Sequence, residues 1–325
     1  MKVLLIVNHS ASSVTSRTRA VIQKALSADH RIEVAATNRR GHATRLAQSA
    51  AKDGIDVVVV LGGDGTLNEV ANGLAGTETA IAPLPGGSTN VFSRTLGIPD
   101  DAVEATGVLL DSMEAGAVHR IGLGSVNDRY FLFHAGIGFD AAVVEQVERK
   151  GGLLKRFAGH PLFVLAAIGT WLRHHNKRRP AFRLSSQLLN EERLGDLEAT
   201  GTEGLFAVCL NTNPYTYLGS KGLSLAPGAT LDTPLSIATF KNLTLQHLLP
   251  VFLGSVGIGK ITTSNSHIVD LRNNVIEAKI NAYEPIPLQV DGDFLGYFKE
   301  FSFHYEPSFL DVVMPLGSSL LKENN

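Results

Sequence analysis

In the first third of the chain, short apolar runs alternate with segments whose apolar positions recur at helical spacing. Residues 2–7 read as a strand, followed by a polar loop over 8–13 and a helix over about 16–28. A strand at 31–37 and a helix at about 43–53 come next. Four valines and a leucine, Val57-Val58-Val59-Val60-Leu61, bounded by turn residues, have the pattern of a buried parallel strand. The helical spacing that follows predicts a helix over 67–74, with Asn68 and Glu69 in its first turn. Residues 79–84 form another apolar strand, leading into Pro85-Gly86-Gly87-Ser88-Thr89-Asn90, a short helix over 91–96 and a further helix over 100–112. Such alternation predicts a mostly parallel sheet with helices on both faces. Right-handed crossovers then line up the loops after the strands along one edge, where ligands of such sheets bind.

Near residue 117 the pattern changes to strands separated by turns. Residues 120–126 and 130–135 are expected as strands joined by a hairpin at Asn127-Asp128-Arg129. After one helical interval, strands are expected at 181–186, 205–211, 235–240, 267–271, 275–280, 287–290 and 300–304, with a turn at Arg272-Asn273-Asn274. Residues 191–204 are polar and read as a hairpin tip or surface loop. The expected organisation is an α/β domain over 1–118 and a β-rich domain, a sandwich or curled sheet, over 119–305. Residues 162–172 are almost wholly apolar and precede Arg173-His174-His175-Asn176-Lys177-Arg178-Arg179. That stretch fits a buried helix ending in a cationic turn, or a helix docked on an anionic membrane surface.

A chain of 325 residues with 44% hydrophobic and 18% charged residues has room for two ordinary globular domains. A net charge of −2 argues against nucleic acid as a partner. The single cysteine, Cys209, lies in an apolar run, which excludes an internal disulfide or a cysteine zinc site and favours a reducing cytoplasm. The opening apolar run is too short for a signal peptide, and no run reaches the roughly 18 to 20 apolar residues of a membrane span. An integral membrane protein is therefore not expected.

The candidate chemistry gathers at strand ends. Gly62-Gly63-Asp64-Gly65 lies between a strand and a helix N-terminus, where glycines turn backbone N–H groups toward a ligand and the helix dipole favours an anion. No Gly-Lys-Ser/Thr follows, so this is not a Walker A loop, and the spacing is not that of the dinucleotide turn. Gly86-Gly87-Ser88-Thr89-Asn90 repeats the arrangement, and the loop from Asn8 to Ser13 and Thr37 end neighbouring strands. Far along the chain, Asp291-Gly292-Asp293 sets two carboxylates on a tight turn, suited to a base or a metal ligand.

Gly62-Gly63-Asp64-Gly65-Thr66 with Asn68-Glu69 resembles the nucleotide loop shared by diacylglycerol kinases, sphingosine kinases, NAD kinases and, more distantly, phosphofructokinases. Four later stretches resemble the lipid-kinase branch. They are Gly87-Ser88-Thr89-Asn90 with Phe92 and Leu96-Gly97-Ile98-Pro99, Gly136-Ile137-Gly138-Phe139-Asp140-Ala141, the run from Leu225 to Asp232, and Asp291-Gly292-Asp293. The combination resembles the diacylglycerol kinase catalytic-domain family from residue 2 to about 305.

The resemblance implies a phosphofructokinase/NAD-kinase-like α/β domain, completed by about 306–325, whose Leu310-Asp311-Val312-Val313-Met314 run precedes a short helical stretch. It also implies a β-rich lipid-substrate domain and an active site in the cleft between the two. The implied activity is transfer of the ATP γ-phosphoryl, with Mg²⁺, to a lipid hydroxyl of diacylglycerol or a related lipid such as a sphingoid base. Carried over by position, Asn8, Ser10, Thr37, Gly62, Gly63, Asp64, Gly65, Thr66, Leu67, Asn68 and Ser88 bind ATP. Asp64 orients the metal and phosphates, Asp293 accepts the hydroxyl proton with Asp291 beside it, and Asp232 marks a magnesium site. The implied partner is a lipid at the inner face of the membrane, with the protein cytoplasmic and peripheral and a homodimer left open. Residues 162–179 and the apolar loop 248–258 are the membrane-facing candidates.

The chain departs from the family pattern in four places. The proline after Asn8 is missing, Ser88 replaces threonine, Thr233-Pro234 replaces Asp-Gly, and Asp293 replaces glutamate. An NAD kinase-like enzyme and a catalytically weak nucleotide- or lipid-binding regulator are the competing readings.

Overall fold

A computed structural model describes residues 1–149, 167, 169–171, 179–189, 201–242, 244 and 268–318. The expected membrane-facing stretches at 162–179 and 248–258 lie almost wholly outside the described residues, as does most of the polar segment 191–204. The chain divides into two compact units, Met1–Leu123 with Pro307–Asn325, and Gly124–Glu306.

The first unit contains β1 (Lys2–Val7), α1 (Ser16–Asp29), β2 (Arg31–Ala36), α2 (His42–Lys52), β3 (Val57–Gly62), α3 (Asp64–Leu74), β4 (Ala80–Pro85), α4 (Val91–Thr95) and α5 (Ala102–Glu114). Its strands are parallel in the order β4-β3-β1-β2. Every residue of β3 and β4 is buried, as the unbroken apolar runs require of strands covered on both faces. Edge strand β2 instead has no buried residue. The returning segment 307–318 adds Val312 in parallel beside Ile81 of β4, and Arg120 ties it down through Asp311 at 3.0 Å. A turn follows at 316–317, and 319–325 lie outside the described residues, so the expected terminal helix is absent from the described part.

The helix starts show how local sequence sets this unit. Thr15 caps α1 by accepting the Thr18 N–H at 3.0 Å, and Asp101 caps α5 through Val103 and Glu104. Gly41, at φ 75°, gives α2 no side-chain cap. Glu69 of α3 supplies one, accepting the N–H groups of Gly41 at 2.7 Å and Ala43 at 3.1 Å. α3 itself starts at Asp64, three residues before the expected Leu67. Extended Gly63 takes the cap position, and its carbonyl accepts from Thr66 at 3.0 Å and Leu67 at 3.1 Å. Asp64, not Asn68 or Glu69, therefore occupies the first turn, where the dipole favours a carboxylate.

The second unit contains the end of β5 (Val118–Val126), β6 (Arg129–Phe131), β7 (His134–Ile137), α6 (Phe139–Arg149), β8 (Phe182–Leu188), β9 (Thr202–Gly204), β10 (Phe206–Leu210), β11 (Thr216–Leu218), β12 (Lys221–Leu223), β13 (Leu235–Phe240), β14 (Val269–Val290) and most of β15 (Asp293–Val313). Antiparallel pairs run β13-β10-β7-β14, and β13 also pairs with β14, so the strands form a circuit. β14 takes both ends of the circuit because it is 22 residues long: Val269 to Val275 pair with β13 and Leu288 to Val290 with β7. The enclosed core includes Phe131, Phe182, Ile237, Ala278, Phe301 and Phe303.

Asn127 and Asp128, at φ 47° and 64°, make the expected hairpin between β5 and β6. Two expectations are corrected. Arg272-Asn273-Asn274 is not a turn but an irregular place inside β14, where the register against β13 shifts. The strand expected over 130–135 breaks into β6 and β7. Among the described residues no helix is long and apolar enough to cross a membrane.

Candidate functional site

In the first unit the ladder of parallel strands continues past the strand ends. Thr37 N–H donates to Val7 O at 2.9 Å, Asn8 N–H to Leu61 O at 3.0 Å, and Gly86 N–H to Gly62 O at 2.8 Å. Thr37, Asn8, Gly62 and Gly86 thus stand in a row along the carboxyl edge of the sheet, the edge predicted to bind ligand. Beside Asn8, its own Oδ1 accepts the Ser10 N–H at 3.0 Å, and its Nδ2 donates to Thr66 Oγ1 at 2.8 Å.

The two glycine turns touch backbone to backbone. A Cβ on Gly86 would lie 2.9 Å from both N and Cα of Gly62, and one on Gly87 would lie 2.7 Å from Gly63 Cα. Only glycine permits that approach. Asn90 holds the second turn, accepting the Gly87 N–H at 2.9 Å and donating to Gly87 O at 3.1 Å and Asp100 at 2.9 Å. Asp64 Oδ1 accepts the Phe92 N–H at 3.3 Å, which links the first turn of α3 to that of α4.

The nucleotide-loop residues do not all face the same way. Gly63, Asp64 and Gly65 are part-exposed and Ser88 is exposed, whereas Thr66, Leu67 and Asn68 are buried. Asn68 turns inward and accepts from Asn72 Nδ2 at 3.2 Å. Glu69 is likewise committed, to the start of α2.

In the second unit, Asp291 and Gly292, at φ 47° and 80°, form a two-residue hairpin turn with Val290 opposite Asp293. The carboxylates differ in surroundings. Asp291 is 3% exposed and accepts backbone N–H groups from Leu132 at 2.7 Å and from Phe133 and His134 at 3.1 Å. Those bonds take the donors that a continuous strand would use, which is why β6 and β7 are separate. Asp293 is part-exposed.

Behind this turn lies a buried polar group that the sequence reading did not identify as such. Asp140 accepts hydrogen bonds from the Tyr215 hydroxyl and, at 2.7 Å, from Gln289 Nε2. Burial raises the Asp140 carboxyl above the usual carboxylate range, and those two bonds offset only part of the effect. Burial, then the Asp140 charge, pushes the Tyr215 hydroxyl well up. His134, its ring centroid 4.5 Å from that of Tyr215, is lowered to about 3 by burial. Gly136 is required here, since a Cβ would strike the Asp140 carboxylate and Gln289. Gln289 carried a weak signal: an amide in an otherwise apolar run, two residues before Asp291.

Asp232 is exposed, in a turn where Thr233 Oγ1 accepts the Thr230 N–H at 2.9 Å. Among the described residues no group of three or more histidine, cysteine, aspartate or glutamate side chains is placed to hold a metal. A magnesium ion that travels with a nucleotide needs no such cage, since phosphates and water fill most of its shell. Asp64 beside the glycine turns suits that lesser demand.

The first unit thus offers a parallel sheet whose strand-end glycine turns press together, and the second unit is β-rich. Residues 2–143 match the family model of the diacylglycerol kinase catalytic domain. A protein named diacylglycerol kinase in Bacillus subtilis (strain 168) is 29% identical over 300 residues, covering 91% of this chain and 89% of its own. One named "Probable lipid kinase YegS-like" in Pseudomonas aeruginosa (strain UCBPP-PA14) is 28% identical over 338 residues, covering 99% and 97%. The solved structure of a diacylglycerol kinase from Bacillus anthracis str. Sterne superposes with a TM-score of 0.69 at 21% identity over 98% of both chains, and so shares the fold. Over most of its length the chain is thus similar to proteins named as diacylglycerol or lipid kinases, and over residues 2–143 to the diacylglycerol kinase catalytic domain, as its glycine and aspartate motifs implied.

Proposed function

We propose that this protein is an ATP-dependent lipid kinase that transfers the γ-phosphoryl group of ATP to the hydroxyl of diacylglycerol or a related lipid at a membrane surface. The observation that carries the proposal is the contact between Gly62-Gly63 and Gly86-Gly87 at the carboxyl edge of the parallel sheet. Two turns without side chains, each leading into a helix N-terminus, suit phosphates, and a Cβ on Gly86 or Gly87 would strike the facing turn and force the two apart. The kinase names of the relatives point the same way.

Asn8, Ser10, Thr37, Gly63, Asp64, Gly65 and Ser88 are assigned to the donor nucleotide. Gly62, Thr66, Leu67 and Asn68 are assigned to the same nucleotide loop as its buried members, Thr66 through the bond that its Oγ1 accepts from Asn8 Nδ2. Asp64 would hold Mg²⁺ with the phosphates, and the ion would neutralise charge on the transferring group. In the transfer, the lipid oxygen forms a bond to the γ-phosphorus as the bond to the β,γ-bridging oxygen breaks, and ADP leaves. Asp293 is assigned the hydroxyl proton, because Asp291 is buried with its carboxylate on three backbone donors. The base must come within about 3 Å of that proton's oxygen or act through one water.

The test is incubation with γ-labelled ATP and Mg²⁺, offering a diacylglycerol, a sphingoid base and NAD separately. Label in a lipid is the expected result. Label in NAD alone, or ATP binding with no transfer to any lipid, overturns the proposal.

A further inference from the structure

The turn that carries Asp293 is held from one helix at two points. On one side, Gly292 N–H donates to Gln289 Oε1 at 2.9 Å, and Gln289 Nε2 donates to Asp140 Oδ2 of α6 at 2.7 Å. On the other, Phe294 N–H donates to Glu148 Oε1 of α6 at 3.1 Å. The backbone N–H groups directly before and after Asp293 are thus both bonded to side chains. Asp140 and Glu148 lie eight residues apart on α6, two i,i+4 steps along one face. One helical turn before Glu148, Glu145 accepts the Tyr297 hydroxyl at 2.8 Å and pairs with Arg149 at 2.8 Å, which docks the same helix further along β15.

A two-residue hairpin turn closes without any of this, since its strands supply the pairing. Gln289 is fully buried, and its amide is spent at both ends: one atom on Asp140, the other on Gly292. Asp140 would otherwise be a buried carboxylate against the core, an expensive arrangement unless its bonds serve something. What they grip is the peptide link beside the part-exposed aspartate. The Asp293 side chain carries its carboxylate on a single methylene. A short base has less reach, so its backbone must be placed more closely.

We propose that Glu148 and the Asp140–Gln289 pair are positioning residues, which fix the Gly292 and Phe294 N–H groups and thereby aim the Asp293 carboxylate. Resting on the assignment of Asp293 as the base, this deepens the proposed function. Bases and nucleophiles tolerate little displacement, and an error of about 1 Å can reduce rate by roughly a hundredfold.

The experiment compares the single variants Glu148→Ala, Glu148→Gln, Gln289→Leu and Asp293→Asn, using MgATP and dioleoylglycerol in mixed micelles. Glu148→Ala is expected to lower kcat by about tenfold or more with the KM for ATP unchanged, and Glu148→Gln, which keeps the acceptor oxygen, to recover most of it. Amide exchange provides a readout that needs no turnover: Phe294 N–H in Glu148→Ala and Gly292 N–H in Gln289→Leu should exchange at least about tenfold faster, beyond the change that global unfolding accounts for. An inactive Asp293→Asn combined with full turnover in Glu148→Ala, or unchanged exchange at both amides, overturns the positioning role alone. Wild-type turnover in Asp293→Asn overturns the assignment of the base and the inference with it.

Discussion

At the scale of single residues, the two aspartates of one turn separate into a structural and a chemical member. Replacing Asp291 by alanine leaves the Leu132, Phe133 and His134 N–H groups buried without their acceptor. Each orphaned donor costs about 1–3 kcal/mol, so Asp291→Ala is expected to lose about 3 kcal/mol or more of stability. Asp293→Asn should leave the unfolding transition near wild type and abolish turnover. Denaturant unfolding of both variants, set against the kinase assay, checks the division. The glycines divide in the same way. In Gly87→Ala the new methyl group lies 2.7 Å from Gly63 Cα, so a backbone must move. About 1–3 kcal/mol of destabilisation and at least about tenfold weaker ATP binding are expected, by thermal unfolding and ATP titration. Gly107 of α5 meets nothing within 4 Å, and Gly107→Ala should instead stabilise by about 0.5–1 kcal/mol.

At the scale of elements, α2 depends on a residue outside itself. Its N-cap is a left-handed glycine, and the first-turn N–H groups are satisfied by Glu69 from the middle of α3. Glu69→Ala is expected to cost about 1–2 kcal/mol and to speed amide exchange at Gly41 and Ala43, while Glu69→Gln keeps part of the cap. Such a cap cannot be seen in a sequence, because its two partners are 26 and 28 residues away. What could be seen was local. The strands β1, β3 and β4 and the helices α1 and α5 followed from apolar spacing, and the row of strand-end loops followed from their parallel order. The misread places were set by distant groups. Asp291 splits β6 from β7 across more than 150 residues of chain, and pairing with β13 and β8 carries β14 straight through an Arg-Asn-Asn segment that alone would turn. The candidate site shows the same limit. Asn8, Asp64 and Ser88 could be placed at one edge from their strands, but the roles of Gln289 and Glu148 depend on a helix and a hairpin meeting in three dimensions.

At the scale of the whole molecule, the buried polar group in the second unit ties stability to pH. Burial holds His134 at about 3, against about 6.5 in an unfolded chain, and its Nδ1 has no hydrogen-bond partner among the described residues. Between those values the unfolded state binds a proton that the folded state refuses, so stability falls as pH drops from about 6.5 toward 3, by at most about 1.4 kcal/mol per pH unit. Asp140 acts in the opposite sense. Its carboxyl is raised in the folded state, so its contribution is present at low pH and is lost as pH rises through the raised value. The two groups thus contribute slopes of opposite sign, and one variant isolates that of His134. His134→Phe keeps an aromatic ring between Phe133 and Tyr215 and removes the titrating nitrogen. The variant should lose less stability than the wild type between pH 7 and pH 5 in denaturant unfolding. Parallel profiles for the two proteins would mean that the His134 ring already meets water or a proton in the folded state.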